Sequence, residues 1–199
     1  MAYEFSRPAR LFHDLLRWSG TRNYAHAIVS KIPKVAPYEV RVFGDPVLKT
    51  PCRKVDEITD VTRSLAKDML STMYLAPGVG LAANQVGVSL RMFVYDDSEG
   101  KGARVIINPE IVETSGTFTY EEGCLSVPGQ FFEIVRPDHV LLRGTDLNGN
   151  PIELETSGFE GRILQHEVDH LDGKLLLSRL TPEQKKQAMA SLRAQEAGG

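Results

Sequence analysis

A repeat of apolar residues every four positions predicts the first helix of the main part of the chain. The repeat consists of Val61, Leu65, Met69 and Met73. On a helix these side chains share one face, the pattern of a helix that packs on a core. Thr59 precedes the repeat and is a favourable N-cap residue, so the helix should begin just after it.

Six short runs of mainly β-branched, aromatic and aliphatic residues predict strands. They lie at residues 92–95, 105–107, 111–119, 131–135, 140–145 and 152–155. Asn148 and Gly149 stand between the last two runs, and this dipeptide favours a tight hairpin turn. Because the strands are short and hairpin connections are expected between them, we predict antiparallel sheet.

A third pattern predicts a central helix. Ser157 and Glu160 have the spacing of a helix capping box, and Gly173 is a suitable residue to end a helix. We therefore predict a helix over residues 158–172, which carries the sequence HEVDH at residues 166–170. Strands outnumber helices, so this helix should be surrounded by sheet.

A C-terminal helix completes the predicted elements. Thr181 and Gln184 repeat the capping-box spacing and predict a helix over residues 182–195. The elements together predict an α+β fold. In it, antiparallel β-sheets pack around the central helix with the HEVDH motif, and the C-terminal helix is added to them.

The composition is that of an ordinary globular protein. Of the 199 residues, 42% are hydrophobic and 25% are charged, and the net charge is −3. This balance argues against nucleic-acid binding through bulk charge, and we expect no direct sequence-specific contact with nucleic acid. No apolar run reaches 18 residues, so we expect no membrane-spanning helix and no membrane partner.

The first 38 residues differ from the rest in charge. Residues 1–38 hold six basic and two acidic residues, net +4, whereas residues 39–199 hold 17 basic and 24 acidic residues, net −7. Residues 33–37 are predicted to link this basic extension to the main domain. A short helix starting near Pro8 should pack on the core or on a neighbouring chain, or serve a membrane or targeting role. A transit role would place the protein in an organelle.

The two cysteines bear on the cell compartment. Cys52 and Cys124 do not form a disulfide framework, and the N-terminus lacks the pattern of a secretory signal. Both observations favour a reducing compartment, so we expect a cytoplasmic location.

The HEVDH motif predicts a metal site. His166 and His170 are four residues apart, which on a helix places them within about 40° of each other on one face. Two imidazoles in this arrangement can bind one divalent metal. Glu167 is offset by about 100°, so it can stand beside the metal as a general base without binding it. Two solvated or core histidines remain the alternative.

A third ligand is needed, and the sequence leaves its identity open. Many HExxH zinc endopeptidases have another histidine six residues after the second, but this chain has Leu176 there. Cys124 is the better candidate because its short polar loop can present a thiolate, although a buried inert cysteine is the alternative. Cys52 has no comparable surroundings and is interpreted as a packing residue.

A glycine-containing loop at residues 78–85 is the second feature with possible chemistry. Gly78 and Gly80 permit another chain segment to approach closely. The third glycine of a dinucleotide loop is missing, and the loop follows a helix, so that type of site is not indicated. Gln85 can donate a side-chain N–H to an oxyanion, or it can be a satisfied polar turn residue.

Three segments together resemble a known family. Residues 78–85, 122–126 and 165–170 resemble the three signature motifs of peptide deformylases, in the same order, and residues 44–48 resemble the usual N-terminal segment of that family. The resemblance extends over about residues 39–181. It implies a metal-dependent hydrolase that removes the N-formyl group from the N-terminal methionine of newly synthesised proteins and releases formate.

The resemblance also implies roles for individual residues. The metal ligands would be Cys124, His166 and His170. The catalytic groups would be Glu167 as the acid/base and, for the oxyanion, Gln85 with the backbone N–H of Leu125. The substrate would be bound by the backbones of Val79, Gly80 and Gly123, and Arg162 would line a methionine pocket.

The same resemblance implies a cofactor and partners. The metal would be ferrous iron, although a Cys/His/His set suits zinc, nickel or cobalt equally. The partners would be N-formylmethionyl peptides and nascent chains, with weak ribosome docking through the C-terminal helix. Two alternatives stay open at this point: an HExxH zinc endopeptidase, and a non-catalytic metal- or ribosome-binding protein.

Overall fold

The computed structural model describes residues 35–198, so the helix expected near Pro8 lies outside the described residues. Within them the longer helices are α1 (Asp60–Leu75), α2 (Gly158–Leu171) and α3 (Pro182–Gly198). The strands are β1 (Gly80–Ala82), β2 (Met92–Tyr95), β3 (Arg104–Ser115), β4 (Phe118–Cys124), β5 (Val127–Arg136), β6 (His139–Thr145) and β7 (Pro151–Thr156). Short 3-10 helices occupy Pro46–Lys49, Ala83–Val86 and Leu176–Arg179.

The strands form two antiparallel sheets. Five of them pair in the order β1-β2-β3-β6-β7, and β4 pairs with β5 in a separate hairpin. All four residues of β2 are buried because helices cover both faces of the larger sheet. Phe93 and Tyr95 pack in the cluster that includes Val168 of α2, whereas Met92 and Val94 pack in the α1 cluster. The predicted α+β fold is confirmed.

Helix α1 begins after Thr59, as the sequence predicts. Leu65, Met69 and Met73 of its apolar repeat are buried against the sheet. Val61 is 78% exposed, however, and the buried position of the first turn is taken by Thr62. The predicted apolar face therefore starts one turn too early.

One predicted boundary between strands is wrong. The runs at 105–107 and 111–119 were expected as separate strands, but β3 continues from Arg104 to Ser115. A β-bulge absorbs the intervening Asn108-Pro109, where Asn108 has a positive φ of 51°. The Asn108 side chain bonds both the N–H and the C=O of Val55 and so ties the bulge to the segment before α1. The break comes instead before Phe118, at Gly116 with φ 70°.

The two predicted capping boxes had different outcomes. Thr181 and Gln184 make both reciprocal bonds, at 2.9 and 3.2 Å, and open α3 as predicted. Ser157 is the N-cap of α2 but makes no side-chain capping bond. The carboxylate of Glu160 instead accepts the hydroxyl of Tyr95 at 2.9 Å, because this buried hydroxyl requires an acceptor.

The C-terminal helix covers a third apolar cluster. Ala188 and Leu192 of α3 are buried against Val127 and Leu177, and Cys124 and Phe132 pack at its edge. Helix α3 therefore packs on the β4–β5 hairpin near Cys124. None of the helices in the described part of the chain is long and apolar enough to cross a membrane.

Candidate metal centre and active site

Helix α2 and the β4–β5 hairpin bring three metal-ligating side chains together. The rings of His166 and His170 lie on one face of α2 with centroids 5.0 Å apart. The hairpin is irregular between Gly123 and Cys124, and Cys124 Sγ lies 3.2 Å from Nε2 of His170. Ligand atoms of all three residues lie within 4.8 Å of one another. The structure thus joins the residues that the sequence had placed 42 positions apart.

A carboxylate orients one of the imidazoles. Nδ1 of His166 is 3.0 Å from Oε2 of Glu122, and both groups are largely buried. When Nδ1 carries the proton and donates it to the carboxylate, the lone pair of Nε2 is free to bind a cation. This arrangement is common behind metal-binding histidines, where it sets the ring orientation and raises the basicity of the ligand.

Cys124 and His166 shift the pKa values of each other because they lie close together. Burial alone would raise the pKa of Cys124, but His170 and His166 hold that pKa well below its ordinary value. Burial would likewise lower the pKa of His166, but Cys124 and Glu122 hold it well above its ordinary value. A cation binds the thiolate and the neutral imidazole forms. One sulfur and two nitrogen donors therefore fit zinc, iron, cobalt or nickel.

Glu167 is buried beside this group. Its side chain is almost inaccessible, and burial raises its pKa to about 7 although His166 and His170 act in the opposite direction. Among the described residues, its Oε2 has no hydrogen-bond partner. A Cβ atom at Gly80 would lie only 2.8 Å from Cδ of Glu167, so this glycine makes room for the carboxylate. A carboxylate near neutral pKa is well suited to transfer protons at neutral pH.

The orientation of the Gln85 amide is determined by its neighbours. Its Oε1 accepts the backbone N–H of Ala82 at 2.8 Å. Its Nε2 must then point the other way, where it donates to Ser126 Oγ at 3.2 Å and lies 4.0 Å from Cys124 Sγ. The amide N–H is therefore directed at the candidate metal centre, as an oxyanion donor must be.

Comparison with known proteins decides the family. A family profile described as polypeptide deformylase matches residues 37–186. The peptide deformylase of Halothermothrix orenii is 48% identical over 142 residues, which are 71% of this chain and 92% of that protein. A peptide deformylase from Acidothermus cellulolyticus is 45% identical over 160 residues, covering 80% of this chain and 88% of the relative. The chain belongs to the peptide deformylase family.

Solved structures agree with this assignment. The crystal structure of a peptide deformylase from Synechococcus elongatus in complex with actinonin has a TM-score of 0.77 and 37% identity, and the match covers 81% of this chain and 90% of that one. A peptide deformylase from Legionella pneumophila has a TM-score of 0.76 and 39% identity, with 80% and 95% covered.

The family assignment gives the activity. As a peptide deformylase, this metal-dependent hydrolase removes the N-formyl group from newly synthesised polypeptides, in the course of protein biosynthesis. The zinc endopeptidase and the non-catalytic binding protein are not favoured by any relative in these comparisons.

The free edge of β1 lies beside the deformylase site. The N–H of Asp96 donates to the carbonyl of Val79 at 2.9 Å, which marks this pair as hydrogen-bonded. Hydrogen-bonded and non-hydrogen-bonded pairs alternate along an antiparallel ladder. The N–H and C=O of Gly80, the next residue, therefore point away from β2. Strand β1 is the edge of its sheet among the described strands. Val79 and Gly80 were both predicted to bind the substrate through their backbones. Of the two, Gly80 directs both its N–H and its C=O to the open edge.

Two further glycines near the site lie in tightly packed surroundings. A Cβ at Gly123 would come 2.5 Å from the ring of Phe131, so only glycine fits beneath this ring. A Cβ at Gly78 would come 2.7 Å from Cδ1 of Leu125. The side chain of Leu125, which directly follows the strand of Cys124, therefore packs against the glycine loop.

Arg162 lies deeper than the predicted pocket role suggests. Its guanidinium is buried and bonds the carboxylate of Glu122 and the backbone carbonyls of Phe118 and Ile134. The structure thus places its charged end among the strands of the β4–β5 hairpin. A contribution of Arg162 to a methionine pocket stays a prediction.

Three further polar residues near the deformylase site were missed in the sequence. Glu122, Arg136 and Asp169 are buried, and Arg136 donates to both carboxylates. Arg136 ends the apolar run of β5, where a charge without a partner would be costly. This charged residue at the end of an apolar run was the one signal in the sequence, but it could not identify the partners of Arg136.

Proposed function

We propose that Cys124, His166 and His170 bind one divalent metal ion and that this centre hydrolyses the formyl amide. The observation that carries the proposal is the convergence of three donor atoms within 4.8 Å beside a buried carboxylate. By family analogy the native metal is ferrous iron, while the donors suit zinc, nickel or cobalt equally. Metal analysis of protein purified without air would identify it, and a content well below one ion per chain would contradict the proposal.

The residues of the chain then have distinct tasks. When bound, a divalent cation lowers the pKa of a water molecule and polarises the formyl carbonyl. Glu167 takes the proton of the attacking water and later donates a proton to the leaving α-amine. Gln85 Nε2 and the backbone N–H of Leu125 donate to the carbonyl oxygen as negative charge develops on it.

The substrate backbone is proposed to add as a strand at the edge of β1. Gly80 provides a free N–H and C=O there, with Val79 beside it, and Gly123 stands on the strand that carries Cys124. Main-chain bonds of this kind bind a peptide regardless of its side chains. Preference for methionine then comes from an apolar pocket, which a flexible thioether fills well.

Substrate choice tests the activity. We expect strong hydrolysis of formyl-Met-Ala-Ser, poor hydrolysis of acetyl-Met-Ala-Ser and almost none of an internal peptide bond. A formyl carbon carries only hydrogen, whereas the acetyl methyl must enter the space between the metal ligands, Gln85 and Leu125. Overpacking of this kind costs about 1–3 kcal/mol, or roughly a 5- to 150-fold lower kcat/KM. Similar kcat/KM values for the first two peptides, or efficient cleavage of an unmodified longer peptide, would favour a peptidase.

Helix α3 is proposed to dock weakly on the ribosome near the nascent chain. Lys185, Lys186 and Arg193 are exposed on it, while Ala188 and Leu192 face the core. Family analogy and these three cations support the proposal, and a merely solvated face is the alternative. Because α3 also covers the apolar cluster beside Cys124, removal of the whole helix would disturb the site itself.

Charge reversal is therefore the sharper test of docking. Lys185→Glu combined with Lys186→Glu should weaken co-sedimentation with ribosomes and leave the turnover of formyl-Met-Ala-Ser unchanged, because both side chains are exposed. The matched control reverses Lys54 and Lys67, which are exposed elsewhere. Equal co-sedimentation of both double variants and the wild type would rule docking through α3 out.

The division of the chain and its location in the cell are also proposals. We propose a basic extension over residues 1–38 and a catalytic domain over residues 39–199, supported by the family match that begins at residue 37. A cytoplasmic location agrees with bacterial relatives such as that of Halothermothrix orenii. If residues 1–38 act as a transit segment, a fluorescent fusion of these residues should accumulate in an organelle.

A further inference from the structure

A buried guanidinium on β5 bridges two carboxylates, one on each of the two elements that carry the proposed metal ligands. Arg136 stands at the end of β5, and its side chain is 2% exposed. Its Nε and Nη2 donate to the two carboxylate oxygens of Glu122 at 2.6 and 3.0 Å. Its Nη1 donates to Oδ2 of Asp169 at 2.7 Å. One planar side chain therefore bridges a strand and a helix.

The two carboxylates that Arg136 bridges are each next to a proposed ligand. Glu122 lies two residues before Cys124 on β4 and also accepts from Nδ1 of His166. Asp169 directly precedes His170 on α2. Arg136 thus adds a link between the strand of Cys124 and the helix of both histidines, beside the direct contact of Glu122 with His166 and the bond of Arg162 to Glu122.

The form of this bridge requires arginine. A bidentate contact to one carboxylate and a separate N–H to another use the rigid fork of the guanidinium, which a lysine ammonium cannot reproduce. Burial of so many charges is not an efficient way to stabilise a fold, since apolar replacements of buried ion pairs are often equally stable. The cluster is better explained by the geometry that it imposes.

We propose that Arg136 is a positioning residue that sets the distance between Cys124 and the two histidines. The inference rests on the proposed metal site. Arg136 makes no hydrogen bond to a proposed ligand; it bonds Glu122, which contacts His166, and Asp169, which precedes His170 on α2. Its effect should therefore be seen in metal affinity and ligand geometry rather than only in turnover.

The test compares conservative variants by metal binding. Arg136→Lys should weaken zinc binding about 10- to 100-fold in competition with a chelator, the usual effect of losing a partner behind the ligands. The absorption bands of the cobalt-loaded protein should shift, because they report the arrangement of the thiolate and imidazoles. Asp169→Asn removes the negative charge that Arg136 and Arg179 share, which weakens the same bridge from the other side and should act in the same direction.

Two arginine-to-lysine controls separate positioning from general loosening. Arg143 donates to Glu153 at 2.7 Å in an exposed pair between β6 and β7, and Arg143→Lys should leave zinc affinity unchanged. Arg179 donates to Asp169 but not to Glu122, so Arg179→Lys should change zinc affinity less than Arg136→Lys. Thermal unfolding of each metal-free variant records any loss of stability separately.

The outcomes are distinct. A 10- to 100-fold loss for Arg136→Lys, with both controls near the wild type, supports the inference. An unchanged zinc affinity and cobalt spectrum would overturn it, and so would an equal loss in Arg179→Lys. If Arg136→Lys does not fold, Asp169→Asn decides in its place. A wild-type protein that binds no zinc or cobalt would instead refute the proposed metal site.

Discussion

Replacement of Glu167 by alanine is expected to slow the chemical step by about 10²–10⁴-fold while the metal stays bound. Glu167 lies beside the three proposed ligands but is not one of them. It is the buried carboxylate whose position makes it available to move protons. Loss of a positioned general base lowers the rate of the chemical step by this factor. It leaves the affinity for the metal largely intact.

The measurement is single-turnover kinetics on protein with a verified metal content. The matched control is Glu160→Ala, because Glu160 stands on the same helix and bonds Tyr95 away from the site. That variant should lose stability but keep its chemical rate. Near-wild-type turnover in metal-loaded Glu167→Ala would exclude a catalytic role for this carboxylate.

A pH profile provides an independent sign of the same group. Burial raises the pKa of Glu167 to about 7, and only the ionised form can accept a proton. The kcat/KM of the wild type should therefore rise with pH through a limb at or below about pH 7, since a bound cation lowers this pKa further. The limb should be absent in Glu167→Ala, and its persistence there would assign it to another group.

Replacement of Cys124 by alanine is expected to remove the metal and the activity together. Two imidazoles on one helix would remain, and a divalent cation would lose its one anionic ligand. The metal affinity should fall by more than the about 10- to 100-fold loss that is typical when a residue hydrogen-bonded to a metal ligand is removed. Metal analysis after dialysis and an assay with formyl-Met-Ala-Ser measure both effects on one preparation.

The second cysteine is the matched control. Cys52 lies in the core cluster of α2, and burial raises its pKa to about 11, so it stays a neutral thiol. Cys52→Ala should keep its metal and its turnover, with a modest loss of stability from the small cavity. The ligand assignment is refuted if Cys124→Ala keeps a full complement of metal at unchanged affinity.

The sequence alone determined the local elements and the spacing of the histidines. The apolar periods of α1 and the short runs of the strands follow from backbone geometry, which repeats every 3.6 or every two residues. For the same reason, four-residue spacing was enough to place His166 and His170 on one face of α2. The order of the three motifs was enough to indicate the family, and the comparisons confirmed it.

Interactions between distant segments were decided only by the tertiary structure. The sequence favoured Cys124 as a third ligand but left an inert cysteine open, and only the fold brings its sulfur to 3.2 Å from His170. The direction of the Gln85 amide depends on Ala82 and Ser126. The local patterns also misled in places, because Glu160 bonds the buried hydroxyl of Tyr95 instead of capping its helix.

The buried charges around Arg136 show the physical reason for this division. Local geometry follows from steric rules that act within a few residues, and a single sequence displays it. Which charges meet inside the protein depends on which elements pack together, and each buried charge must then find a partner there. Arg136, Glu122 and Asp169 come from two strands and a helix, so only the packed fold identifies them as one network.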